Sequence, residues 1–214
     1  MWACAAGLVA VLTAGVAVAE EAAGDRALDV LFGFRGVGEI WQDAAVVENY
    51  RSSRFSGSGF VSYGLNSWLS TEMELGYMRT MAESGRTLVD ENGEAFGQVA
   101  PGALELVPIT LGLTATRRLG NAEAFWGGGF AMAVFTERTD AGTVGGAKPG
   151  LDLRTGIRIH TDFVQPRLRP HGSTGAKGVD LELMLGRRQH HAFGIGTGFD
   201  FSAWRVGAGV VARF

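Results

Sequence analysis

The chain of 214 residues is 46% apolar, 10% aromatic and only 19% charged, with 33 glycines against 5 prolines. That composition excludes a disordered chain, and the absence of a G-X-Y period or a sustained heptad excludes a collagen and a coiled coil. Net charge is −3, and 17 of the 19 basic residues are Arg scattered along the chain, so the basic stripe of a nucleic-acid binder is missing and no nucleic-acid partner is expected.

Residues 1–19, MWACAAGLVAVLTAGVAVA, form a small-residue apolar run that ends in Ala17-Val18-Ala19 just before Glu20-Glu21. This reads as a secretory signal with an A-x-A cleavage site, although no Lys or Arg precedes the apolar core. An uncleaved anchor is the rival, but a spanning helix wants about 20 residues more lipophilic than these. Cleavage removes Cys4, the only cysteine. Residues 20–214 would then hold no disulfide, no Cys-ligated metal and no thiol nucleophile.

Within residues 20–214, period-two alternation recurs in eight places, the signature of strands with one apolar face. In chain order the apolar sets are Leu28, Val30, Phe32 and Phe34; Val61, Tyr63 and Leu65; Leu69, Thr71, Met73, Leu75 and Tyr77; and Val107, Ile109, Leu111 and Leu113. There follow Trp126, Phe130, Met132 and Val134; the odd positions from Leu151 to Phe163; Val179, Leu181, Leu183 and Leu185; and the even positions from Trp204 to Phe214. The 195 residues after the signal allow about 24 per strand and connection, enough for strands of about 9 to 11 residues tilted across a bilayer.

Connections alternate in length. Asn66-Ser67 and Leu119 to Glu123 read as tight turns, whereas residues 37–53, 81–102, 137–149 and 189–198 read as long loops, polar or glycine-rich. Outer-membrane barrels have short periplasmic turns and long external loops. Residues 164–176 break the pattern, being long where a turn is expected. Either a long turn is tolerated there or residues 189–201 hold a separate short strand; an even strand total favours assigning residues 199–214 to one final strand.

A secreted soluble barrel would alternate too, so the second face decides. Here it holds glycines and opposed charges, such as Asp152, Arg154, Arg158 and Asp162 on one strand, rather than the Lys and Glu that meet water. Aromatics near strand ends, Trp68, Tyr77, Trp126, Trp204 and Phe214, match interfacial girdles. The expected fold is therefore all-β: a closed, antiparallel, eight-stranded transmembrane β-barrel with its apolar face in lipid.

Tyr63 to Tyr77 (YGLNSWLSTEMELGY), Val107 to Leu113 (VPITLGL), Phe125 to Phe130 (FWGGGF) and the ending Arg205 to Phe214 (RVGAGVVARF) resemble the small bacterial outer-membrane β-barrels of the OmpA/OmpX/OmpW type. The resemblance implies a porin-like domain over residues 20–214, in the outer membrane of a Gram-negative cell after export. It also implies contact with outer-membrane lipid and recognition of the last strand, through Phe214, by the barrel-assembly machinery. A monomer is expected. Such likeness fixes architecture and not activity.

Glu72, Glu74, Asp152, Asp162, Asp180 and Glu182 fall on the inward face, as do Arg35, Arg154, Arg158, Arg188, Arg205 and Arg213. Enclosed charges must be paired, so these are read as mutual counter-charges filling the lumen instead of as an acid–base pair. His190-His191, with His160 and His171 elsewhere, lack a convergent ligand set and read as solvated loop residues. His171 and Ser173 with Glu182 loosely resemble the triad of outer-membrane lipid A deacylases, but Thr174 stands where Asn is usual, and the segment falls on the periplasmic side. Gly127 to Gly129 and Gly145-Gly146 lack the context of a phosphate loop and read as packing or loop glycines. No catalytic, cofactor or metal residue is expected, and the role is that of a non-enzymatic structural or surface-interaction barrel. A narrow channel for small or hydrophobic solutes and a deacylase-like enzyme are the alternatives.

Overall fold

The structure, a computed structural model, describes residues 29–50, 53–82, 86–89, 95–99, 102–139, 142–161, 178–190 and 200–214. Eight strands close into an antiparallel barrel: β1 (Val30–Trp41), β2 (Ser53–Gly64), β3 (Leu69–Met81), β6 (Ala103–Leu119), β7 (Ala122–Thr139), β8 (Gly142–His160), β9 (Gly178–Gln189) and β10 (Ala203–Arg213). Two short strands, β4 (Arg86–Val89) and β5 (Ala95–Val99), pair with each other between β3 and β6. One helix, α1 (Ala44–Tyr50), lies between β1 and β2.

Closure comes from β1 pairing with both β2 and β10, in register from Leu31↔Arg213 to Trp41↔Ala203 on the β10 side. This leaves no open sheet edge on the barrel wall, a condition that a span across a membrane would impose. The predicted phase holds in every barrel strand. Leu111, Leu153 and Leu183 are 59%, 63% and 53% exposed on the outer wall, while Asp152, Arg154 and Glu182 between them are buried. Trp68, Trp126 and Phe214 lie outward near one rim, and Tyr77 and Trp204 near the other.

The turns explain themselves locally. Asn66 Oδ1 accepts the N–H groups of Trp68 and Leu69, closing the β2–β3 bend. Gly120, at φ +63°, makes the two-residue β6–β7 turn with Asn121, a conformation L side chains avoid. Both turns lie at the end where β1 begins and β10 finishes, and where Val30 and Phe214 exchange backbone hydrogen bonds.

At the other end several expectations change. Residues 37–41 belong to β1, so the first loop is shorter than predicted and contains α1. The predicted loop 137–149 is a β-ribbon, in which β7 runs to Thr139 and β8 starts at Gly142. The ladder with β7 holds this Gly- and Thr-rich segment as strand without an apolar face, and lipid-type alternation is therefore not its signature. The final strand starts at Ala203, later than the predicted residue 199, and β10 pairs with both neighbours, completing eight. Residues 1–19 and 164–176 lie outside the described residues.

Candidate functional site in the barrel interior

Along the axis the interior is stacked in tiers. Nearest the short turns, Asp180 forms an ion pair with Arg213, whose Nε lies 3.0 Å away, and meets His160 Nδ1 at 3.0 Å. One tier up, Arg158 Nε donates to Glu182 at 2.8 Å and its Nη1 reaches Glu123 at 3.3 Å. The middle is organised by Arg35, whose Nη1 donates to Glu72 at 2.8 Å and Glu74 at 2.7 Å while Nε donates to Glu182 at 2.5 Å. Arg154 bridges the same Glu72 and Glu74 at 3.0 Å each. Above them Arg205 joins Glu74 at 2.6 Å to Asp152 at 2.8 Å, and Arg188 meets Asp152 at 3.4 Å and Glu39 at 3.5 Å.

Five buried arginines, Arg35, Arg154, Arg158, Arg188 and Arg205, thus face five buried carboxylates, Glu39, Glu72, Glu74, Asp152 and Glu182. The balance matters because a lone buried charge costs several kcal/mol, whereas a paired and hydrogen-bonded one can be tolerated. Arg suits the task because its fork reaches two or three carboxylates at once. Aromatic rings complete the packing. The Arg35 guanidinium lies 3.7 Å from the Phe60 centroid and Arg158 4.8 Å from that of Phe125. These rings cover glycines, since a Cβ on Gly33 would come within 2.2 Å of Phe60 and one on Gly156 within 2.5 Å of Phe125.

The next tier is apolar. Trp41, Val46, Tyr50, Met78, Leu104, Leu106, Ala133, Phe201 and Ala203 form a buried cluster at the loop end, with α1 contributing Val46 and Tyr50 one turn apart. Asp43 caps the helix, its Oδ1 accepting the Val46 N–H at 3.1 Å and its Oδ2 the Asp200 N–H at 2.9 Å. Asp200 in turn accepts from Ser202, whose hydroxyl accepts the His190 N–H at 3.0 Å. Tyr50 donates to the Glu137 carboxylate. These bonds tie α1 to the strand ends around it.

The predicted inward residues Glu72, Glu74, Asp152, Asp180, Glu182, Arg35, Arg154, Arg158, Arg188, Arg205 and Arg213 come together as paired counter-charges. Asp162 lies outside the described residues. Glu39, Phe60 and Phe125 join the lumen unpredicted: Glu39 falls within the expected loop 37–53, although it shares the parity of the inward Arg35. His190 is not a solvated loop residue. It is 4% exposed just past the end of β9, its Nδ1 3.1 Å from the Lys148 carbonyl, and burial with Arg188 nearby pushes its pKa down to about 4. His171, Ser173 and His191 lie outside the described residues, while both oxygens of Glu182 are engaged by Arg35 and Arg158. Among the described residues no three His, Cys, Asp or Glu side chains converge as a metal site.

No protein-family model matches the chain, and no curated protein does. Solved structures do. The outer membrane protein OprG from Pseudomonas aeruginosa matches with TM-score 0.56 at 11% identity, over 89% of this chain and 98% of that one. Neisserial surface protein A matches with TM-score 0.52 at 12% identity, over 90% of this chain and 100% of that one. At such identity the likeness is one of fold: the chain has the architecture of the small eight-stranded outer-membrane barrels, as the OmpA/OmpX/OmpW resemblance implies.

Proposed function

We propose that the chain is a non-enzymatic barrel of the Gram-negative outer membrane, with a lumen closed by its own side chains and its role carried by the parts that stand outside the bilayer. The carrying observation is that the balanced arginine–carboxylate cluster of the mid-barrel and the apolar α1 tier above it are both buried inside an outer wall of apolar side chains. An eight-stranded barrel encloses room for side chains and not for a column of water. The engagement of Glu182 by two arginines supports a structural role for it over that of an orienting group in a hydrolase.

In this reading residues 1–19 are a cleaved signal, the loop end faces outward, the short turns and both termini of the barrel face the periplasm, and the barrel is a monomer in outer-membrane lipid. Phe214, 5.5 Å from Phe32 between ring centroids where β10 seals against β1, is the recognition point for assembly. Planar-bilayer recording tests the closed lumen. Silence at moderate voltage is the expected result, whereas regular unitary steps would replace it with a narrow channel. A lipid A mass spectrum unchanged by expression is expected as well; loss of an acyl chain would restore the deacylase reading.

A further inference from the structure

On the outer wall at the loop end, Arg79 of β3, Glu105 of β6 and Arg138 of β7 form a group unlike the ion pairs of the lumen. Arg79 and Glu105 are direct cross-strand partners, and Arg138 reaches the same carboxylate from the next strand. Arg79 Nε lies 3.8 Å and Arg138 Nη2 3.7 Å from Glu105 oxygens, and the two arginine side chains remain 58% and 60% exposed. Two cations thus share one anion at distances too long for good hydrogen bonds. Among the described residues this group carries two cations to one anion, in a chain whose net charge is −3.

Below them on the same outward rows stand the apolar side chains of Tyr77, Val107 and Val134, and beyond Arg79 on its own row stands the exposed Met81. A ligand that fills this place has an apolar body against these side chains and an anionic head at the two guanidiniums. The guanidinium fork matches the oxygens of a phosphate. We propose that Arg79 and Arg138 clamp the phosphate of an outer-leaflet lipid, with Glu105 holding the two guanidiniums side by side. Arg187, outward at the loop end of β9, is occupied otherwise: it lies 5.1 Å over the Trp204 ring and donates to Gln42 at 3.3 Å.

The clamp rests on the membrane reading above. Its test uses the full barrel in nanodiscs of zwitterionic phospholipid, with native mass spectrometry of retained bisphosphorylated lipid A, dephosphorylated lipid A and inorganic phosphate as separate arms. Wild type is expected to retain the phosphorylated lipid, with affinity falling about tenfold in R79Q/R138Q, as for loss of charge-assisted bonds. R79K/R138K should recover only part of it, and R187Q should match wild type. Equal retention by R79Q/R138Q, equal retention of the dephosphorylated lipid, or displacement by inorganic phosphate at matching concentration would overturn the clamp. Heat-modifiable gel migration verifies that each variant has closed. Because the nanodisc assay needs neither export nor orientation, its failure leaves the membrane reading standing. Recovery of the protein in a soluble periplasmic fraction would break that reading instead.

Discussion

The mid-barrel and the loop-end plug fill the same cylinder by opposite chemistry. The first is ten charged groups linked through shared ion pairs into one network; the second is an apolar cluster whose polar bonds lie at its margins, at Asp43, Tyr50 and Ser202. Removing one charge from the first strands its partners, because their attraction works at low dielectric and no water can replace it. Removing one bond from the second loosens a short helix that solvent can reach. The mid-barrel should therefore respond globally to mutation and the plug locally.

The largest expected effect is that of Arg35→Met, which keeps the bulk but leaves Glu72, Glu74 and Glu182 short of a cation. A loss of about 3–5 kcal/mol is expected in urea unfolding from micelles. Adding Glu182→Gln should recover part of it, since partners in one network are not additive. A loss of under 1 kcal/mol for Arg35→Met would mean that the cluster is hydrated and erase the contrast.

Gly129→Ala comes next. A Cβ there would stand 2.3 Å from the Leu111 carbonyl oxygen and 2.4 Å from Gly112 Cα, where β6 and β7 pack with no room between them. Backbone has to shift, so a global loss of about 1–3 kcal/mol is expected by the same unfolding assay.

Asp43→Ala should cost about 1 kcal/mol, the usual worth of an N-cap. It should appear as faster amide exchange in α1 with the unfolding midpoint little changed. An equal loss of protection in β1 and β10 would show that plug and barrel are one cooperative unit.

At neutral pH the contrast has no stability readout at His190, which reports instead through its titration. Burial lowers its pKa from 6.5 to about 4, so the folded state resists protonation that the unfolded state accepts. Its contribution to stability is complete above about pH 6.5 and declines as the pH falls through about 4. Histidine NMR in micelles should find the ring neutral at pH 5.5; an ordinary titration near 6.5 would show that the loop end is open to water.

The contrast also explains what the sequence disclosed. Within the barrel wall every residue faces either outward or into the lumen, so parity alone assigns Leu153 outward and Arg154 inward. The same rule extended five residues along β1 reaches Glu39, but the polar composition of residues 37–53 concealed that the strand continued. The helix α1 is seven residues long, barely two turns, and Val46, Val47 and Tyr50 in so short a window do not distinguish a helix from a strand. The extension of β7 and β8 beyond the barrel was hidden for a different reason. Thr143, Gly145 and Ala147 are exposed, and without a consistently apolar face their alternation carries no strand signal. The glycines of Phe125 to Phe130 were legible as packing residues, though not which neighbour pressed on them.

The most direct measurement places single cysteines at Leu153→Cys and Leu183→Cys, spin-labels them in the folded protein in bilayers, and compares relaxation by oxygen with relaxation by a water-soluble nickel chelate. Strong oxygen and weak nickel effects at both sites are expected of an outer wall in lipid. Strong nickel relaxation at either site, or labels immobilised as in a packed interior, would contradict a barrel with hydrocarbon outside and ion pairs within.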